Sequence, residues 1–196
     1  MKKLFIVIDG IDGCGSTTHV KLLKNWFLKL KLKVKTTREP TESNIGKLIR
    51  NYLKSDLSFP ELDSLLFAAD RVEHSKQIKN DLKNNLHVIS DRYVESSICY
   101  QQSDGVDINW IKELNKFAIK PDIYIILDLD PKIAIERLTK DRAQLEKFEK
   151  LEFLEKVRNA FLTRAKEMKY PIIDTNGPVD EVHEKIKKIV EPYLKK

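Results

Sequence analysis

Cysteine is nearly absent: Cys14 and Cys99 are the two in 196 residues. That excludes a disulfide framework of the secreted kind and makes a reducing cytoplasm the expected location. Long apolar runs are missing as well, which argues against a membrane-spanning role. The stretch from Met1 leads straight into an apolar segment interrupted by Asp9, without the apolar core and cleavage site expected of a secretory signal. Internal repeats and Gly/Ser-rich linkers are also lacking, so residues 1–196 read as one domain of 22.9 kDa. What is present, 41% hydrophobic and 34% charged residues, can fill a core and is too apolar for a disordered chain.

The charge is mildly basic, with Lys+Arg at 36 against Asp+Glu at 30. The densest basic stretch, Lys29 to Lys35, alternates with Leu30, Leu32 and Val34. Nucleic-acid arms come as contiguous basic blocks, so this stretch reads as a solvated surface, and neither nucleic acid nor membrane is an expected partner. Abundant Lys and Glu with few Gln hint weakly at a heat-adapted source.

Five short apolar segments stand out: Leu4–Ile8, Val34–Thr37, His87–Ser90, Asp122–Leu129 and Pro171–Asp174. Their nearly continuous apolar character predicts parallel strands buried on both faces. Helical spacing predicts helices over Thr18–Lys31, Leu62–Leu82, Lys132–Leu138, Phe153–Met168 and Glu181–Leu194. In the first of these, Val20, Leu22, Leu23, Trp26, Phe27 and Leu30 form the apolar side. Strand–helix alternation with such crossovers predicts a doubly wound α/β sheet of about five parallel strands with helices on both faces. The charged segment Thr139–Lys150 reads either as a mobile lid or as a plain solvated helix.

The strongest local signal is LFIVIDGIDGCGSTT, Leu4 to Thr18. A strand ends at Asp9, a Gly-rich turn follows, and a helix starts near Thr17. The spacing Gly10-x4-Gly15-x-Thr17 is that of a P-loop, in which backbone N–H groups wrap phosphate oxygens and the Thr hydroxyl ligates Mg²⁺. Ser16 stands where that pattern has Lys. A purely structural strand-to-helix turn is the alternative. Next, HVISDRY delivers Asp91 and Arg92 to a strand end, where ligands bind in open parallel sheets. A carboxylate there can hold Mg²⁺ and a guanidinium can take a phosphate bidentately, while a plain strand-end ion pair is the bland reading. The second strand likewise ends in Thr37-Arg38-Glu39-Pro40. Phe67 and Arg71 lie four apart, on one helical face, where a ring and a guanidinium can meet one flat base.

In order and spacing, IDGIDGCGSTT, TREP, LLFAADRVEH and SDRYVESSICYQ resemble thymidylate kinase, a P-loop NTPase-type fold with a small lid, here about 139–150. The resemblance covers nearly the whole chain. It implies ATP-dependent phosphorylation of dTMP to dTDP, with Mg²⁺ and with ATP and dTMP as ligands. Gly10, Asp12, Gly13, Cys14, Gly15, Ser16, Thr17 and Thr18 would then hold ATP, and Thr17 and Asp91 the metal. Arg38 and Arg92 would clamp the dTMP phosphate, and Asp12 would reach the sugar or a neighbouring Arg. Phe67 would stack on thymine, Arg71 would bond its carbonyl edge, and Ser96, Ser97, Tyr100 and Gln101 would complete the pocket. Asn176 would sit in the adenine loop, and the Glu39–Pro40 bond would be cis. The loop positions Ile11 to Cys14 hold no Arg, so the resemblance makes Arg142 the lid candidate for catalysis, ahead of Arg137 and Lys147, and a homodimer is implied. His19, His74 and Cys14 read as structural residues. Ser16 also suggests a catalytically impaired nucleotide-binding protein, and the superfamily a deoxynucleoside kinase.

Overall fold

A computed structural model describes residues 2–54, 59–141, 148 and 150–195. Along the chain run β1 (Phe5–Gly10), α1 (Ser16–Lys29), β2 (Val34–Arg38), α2 (Asn44–Leu53), α3 (Pro60–Lys83), β3 (His87–Asp91) and α4 (Val94–Ser103). They are followed by α5 (Ile108–Leu114), β4 (Ile123–Asp128), α6 (Pro131–Asp141), α7 (Leu151–Met168), β5 (Ile172–Asp174) and α8 (Val179–Leu194). All five strands are parallel, in the order β2-β3-β1-β4-β5.

The register sets the site. Ile8 pairs with Asp91, and Arg38 with that same Asp91, so the carboxyl ends of β1, β2 and β3 finish side by side. β1 and β3 are wholly buried, and all of β4 except Asp128 is, as their continuous apolar runs require. The expectation of burial on both faces fails at the edges. β2 is half-exposed and ends on exposed Arg38, and β5 buries only its central Ile173, because an edge strand has one neighbour and little cover. α1 packs against α8, while α4 packs against α3 and α7. One apolar core joins the sheet to both groups of helices.

On α1 the inward face is Val20, Leu23 and Phe27 together with Ser16 and His19. Leu30, expected on that face, lies at the C-cap and is 47% exposed. Three helices escaped the sequence reading. α2 hides behind Gly46, a poor helix former that only glycine chemistry permits: a Cβ there would stand 1.9 Å from the Thr41 carbonyl oxygen. α4, VESSICYQQS, buries polar and apolar residues alike and so shows no amphipathic stripe. α5 has seven residues, started by the Asp107 side chain accepting from the Trp110 N–H at 2.9 Å.

Candidate active site

The turn between β1 and α1 is a phosphate-binding loop in form. Gly13 (φ 80°) and Gly15 (φ 92°) take left-handed backbone, and a Cβ on Gly13 would meet the Ala134 carbonyl oxygen of α6 at 2.8 Å. α1 begins at Ser16, so its free N–H groups and the positive end of its dipole face the loop. Above them opens a cavity of about 900 Å³. It is lined by Asp12 to His19, Arg38, Glu39, Phe67, Asp91, Arg92, Ser96, Ser97, Tyr100, Gln101, Arg137 and Thr175, among others. Ser16 and Thr18 line it beside Thr17. Gly10 stands back from it, packed against Leu127.

Arg92 is the most heavily held cation in this wall. Its own backbone is left-handed (φ 69°), and its guanidinium donates to the Gly10 carbonyl (3.0 Å), Ser96 Oγ (3.1 Å) and Asp12 Oδ1 (2.5 Å). It also lies over the Tyr100 ring, 5.4 Å from its centre. Burial alone would lower its pKa; Asp12, Tyr100, Asp9 and Asp91 outweigh it and hold the charge firmly. Tyr100 donates to Asp12 Oδ2 at 2.8 Å and accepts from the Asp12 N–H at 3.0 Å. Beneath this wall lies Asp9, whose carboxylate accepts from the backbone of Gly10, Tyr93 and Ser96 and from the Ser96 and Tyr124 hydroxyls. Burial nevertheless raises its pKa to about 6, against Arg92 and these hydrogen bonds. Nothing in the sequence marked Asp9 as more than a strand end.

Thr17 Oγ1 donates to Asp91 Oδ2 at 2.5 Å, which brings together the two residues predicted to hold a metal. The other oxygen, Asp91 Oδ1, is buried without a partner. A second unpartnered acceptor, Gln101 Oε1, is buried in the cavity wall. Phe67 is half-buried and faces the cavity. Arg38 is exposed and pairs with Glu42 at 3.2 Å.

Arg71, expected at the thymine carbonyl edge, stands deeper than the other residues of the expected acceptor set. It is fully buried behind the wall rather than lining the cavity. Nε donates to Glu39 Oε2 (2.9 Å), and Nη2 to the same carboxylate and to Ser97 Oγ (2.9 Å), while Nη1 donates to Asn115 Oδ1. Glu39, His74 and Asn115, absent from the predicted site, are thus part of its support. The Glu39–Pro40 peptide is cis, as the resemblance implied. Cys14 is buried, and desolvation pushes its thiol up to about 12.

At the other end of the cavity, Arg137 reaches the Thr175 carbonyl (3.0 Å) and the Gly13 carbonyl (3.4 Å). It ties the phosphate loop to the turn after β5. Thr175 and Gly177 of that turn line the cavity; Asn176 does not, and its exposed N–H turns back to Asp174 Oδ1 at 2.8 Å. Arg142 and Lys147 lie outside the described residues. His19 lines the cavity with a buried, unpartnered Nδ1, its pKa lowered to about 4 by burial, His183 and Arg137.

A family model described as thymidylate kinase matches residues 8–186. A probable thymidylate kinase of Pyrobaculum calidifontis is 45% identical over 190 residues, 96% of each chain. One of Methanocaldococcus jannaschii is 46% identical over 187 residues, 93% of each chain. A third, of Pyrococcus abyssi, is 42% identical over 206 residues, covering 99% of this chain and 98% of the relative.

Proposed function

The chain belongs to the thymidylate kinase family, and we propose that it transfers the γ-phosphoryl group of ATP to dTMP, giving dTDP and ADP. The observation that carries this reading is the wall opposite the phosphate loop. There a charged, tightly held Arg92, the ring of Phe67 and the unpartnered Gln101 Oε1 share one cavity.

Phosphoryl transfer between two anions needs positioning and positive charge more than covalent chemistry. ATP phosphates would lie on the backbone N–H groups of the loop and the first turn of α1, with Thr17 and Thr18 at its start. The dTMP phosphate would meet Arg92, and Arg38 would leave its exposed partner Glu42 to join it. Asp12 would then share Arg92 with the substrate phosphate. Thymine would lie on Phe67, with Gln101 Oε1 accepting from its ring N–H. Arg71 acts from behind, through Ser97. Ser96 and Tyr100 shape the sugar side.

The donor set fits Mg²⁺. Magnesium commonly takes one or two carboxylates plus phosphate oxygens and water, and Asp91 Oδ1 is a buried acceptor with no partner among the described residues. Thr17 and Asp91 would hold the ion, which when bound neutralises developing charge on the phosphates. Arg142, in the lid segment 139–150, is proposed to act on the transferring group. The turn holding Asn176 is proposed to border adenine, through Thr175 and Gly177. A homodimer is proposed on a further observation: Leu62, Leu65 and Val72 follow helical spacing along α3 and are 38%, 46% and 52% exposed. A cytoplasmic location rests on the two free cysteines.

Impairment and deoxynucleoside kinase activity are not favoured. A neutral 5′-hydroxyl acceptor gives the Arg38 and Arg92 pair no anion to bind. The test is ADP release coupled to dTMP, thymidine or no acceptor. Release should require dTMP; equal rates with thymidine, or rates independent of acceptor, would refute the assignment.

A further inference from the structure

Behind the acceptor wall runs a chain of buried hydrogen bonds that begins at the sheet edge. Thr37 Oγ1 of β2 lies 2.8 Å from His74 Nε2, and His74 Nδ1 lies 2.8 Å from Glu39 Oε1. A carboxylate only accepts, so His74 Nδ1 carries a proton and donates it to Glu39 Oε1, while Nε2 meets the Thr37 hydroxyl. Glu39 Oε2 takes Arg71 Nε at 2.9 Å, and Arg71 Nη2 passes on to Ser97 Oγ at 2.9 Å. Asn115 holds Nη1, with its own side-chain N–H fixed on the Ile111 carbonyl at 2.8 Å. His74, Glu39 and Arg71 are 1%, 5% and 0% exposed.

The placement is what gives this chain a purpose. Phe67, Arg71 and His74 follow one another along a single face of α3, at spacings of four and three residues. Glu39 is the neighbour of Arg38, and its backbone N–H is bound to the Asp91 carbonyl at 3.1 Å. Ser97 lines the cavity one helical turn from Gln101. One buried carboxylate therefore sets the position of the β2 end, of α3 and of α4 together. Its own orientation is fixed from two sides, by Arg71 on Oε2 and by His74 on Oε1.

We infer that His74 is a positioning residue for acceptor recognition: by orienting Glu39 it locks Arg71 and Ser97 into the hydrogen-bonding pattern that the wall presents to the pyrimidine base. This rests on the acceptor reading above. Without the imidazole, Glu39 Oε1 loses its shorter hydrogen bond and keeps only Arg71 Nε at 3.2 Å, so the carboxylate is held from the Arg71 side alone and can turn together with the guanidinium. Ser97 then loses its fixed donor. Among the described residues, this chain meets the Thr17–Asp91 pair only through main chain, by the Glu39 N–H on the Asp91 carbonyl, and no side chain of it bonds the Thr17 or Asp91 side chain.

The test compares the parent with His74→Ala, His74→Gln and Thr37→Val. Calorimetry gives the Kd of dTMP, kinetics give KM for each substrate, and dTMP is set against dCMP, which reverses the hydrogen-bonding pattern of the base edge. His74→Ala should raise Kd and KM for dTMP by about 10-fold to 100-fold, the effect of removing one hydrogen bond to a buried charged group. KM for ATP and kcat should stay within about twofold, and the preference for dTMP over dCMP should fall by about 10-fold or more. His74→Gln, whose amide can donate to Glu39, should recover part of the loss. Thr37→Val, a mild change on the half-buried edge strand, should move dTMP in the same direction by a smaller factor and keeps the question open to refutation where His74→Ala fails to fold. A lowered melting temperature with unchanged dTMP binding and unchanged base preference would overturn the inference. Equal loss of ATP and dTMP affinity would overturn it too. A parent that binds no dTMP would overturn both this inference and the kinase assignment, whereas a parent that turns over dTMP normally, with variants to match, overturns this inference alone.

Discussion

The acceptor wall and the phosphate loop face each other across one cavity and are held by different means. In the wall, side chains hold side chains: Arg92 rests on Asp12 and Ser96, and Arg71 on Glu39, Asn115 and Ser97. In the loop, main chain does most of the holding. Left-handed Gly13 and Gly15 shape it, Ala134 backbone packs against it, and Arg137 braces it by carbonyls alone. A network of side chains in a low dielectric is strong when complete and fails when one member is removed. A backbone cradle depends less on any single side chain. The contrast bears on Ser16, which stands in the loop where the P-loop pattern has Lys.

Arg92→Ala breaks the contrast hardest. It removes a buried guanidinium and leaves Asp12 and a substrate phosphate without their partner, so kcat/KM for dTMP should fall by about 10³-fold. A wild-type value in steady-state kinetics would move the acceptor site elsewhere. Asp91→Asn acts where the two regions meet. It takes the carboxylate from the proposed Mg²⁺ site, and the Mg²⁺ concentration for half-maximal rate should rise by about 10-fold to 100-fold. An unchanged Mg²⁺ titration would free Asp91 of that role. Ser16→Lys sharpens the comparison from the loop side. A backbone cradle predicts less than about a tenfold gain in kcat, whereas a missing essential charge predicts about 10²-fold or more. If the parent moves no phosphate and Ser16→Lys restores transfer, the impaired-protein alternative stands.

The smallest effect concerns acid stability. His87 lies beneath the sheet ends; its Nδ1 accepts from the Leu4 N–H at 3.1 Å, and burial, then Lys3, lowers its pKa to about 4 against the pull of Asp122. Its neutral form is the folded form. The unfolded chain binds the proton first, so this contribution is whole above about pH 6.5 and is lost as pH falls towards 4. His87→Asn keeps an acceptor but cannot titrate. Urea melts between pH 7 and 4 should show its stability falling less steeply than the parent's, by at most about 1.4 kcal/mol per pH unit. Parallel profiles would contradict the assignment of a neutral His87.

How far the residues spoke for themselves also divides along the cavity. Five strands and the loop were legible because buried parallel strands are continuous apolar runs and a phosphate cradle needs glycine at fixed spacing. Thr17, Asp91 and Arg92 follow from loop spacing and strand-end position, Phe67, Tyr100 and Gln101 from the family resemblance, and all six line one cavity. The depth of Arg71 was not legible, because spacing on α3 places it beside Phe67 but says nothing of the Glu39 carboxylate that holds it. Glu39, His74 and Asn115 were silent, since contacts across 32 and 44 residues leave no local pattern. Arg137 was named only as a weaker lid candidate; its link to Thr175 spans 38 residues and ends on a carbonyl that any residue would supply. Helix α4 was missed for a related reason, as buried polar residues erase the amphipathic stripe.

The central claim is that the wall is built in advance for a nucleoside monophosphate and that its arginines read the phosphate. Calorimetric titration of the protein with dTMP and with thymidine, in the absence of ATP and Mg²⁺, tests it most directly. The account predicts that dTMP binds without the donor and that thymidine binds at least about 10²-fold more weakly, the loss of charge-assisted hydrogen bonds to Arg92 and Arg38. Equal affinities, or dTMP binding that appears only once ATP and Mg²⁺ are present, would contradict it.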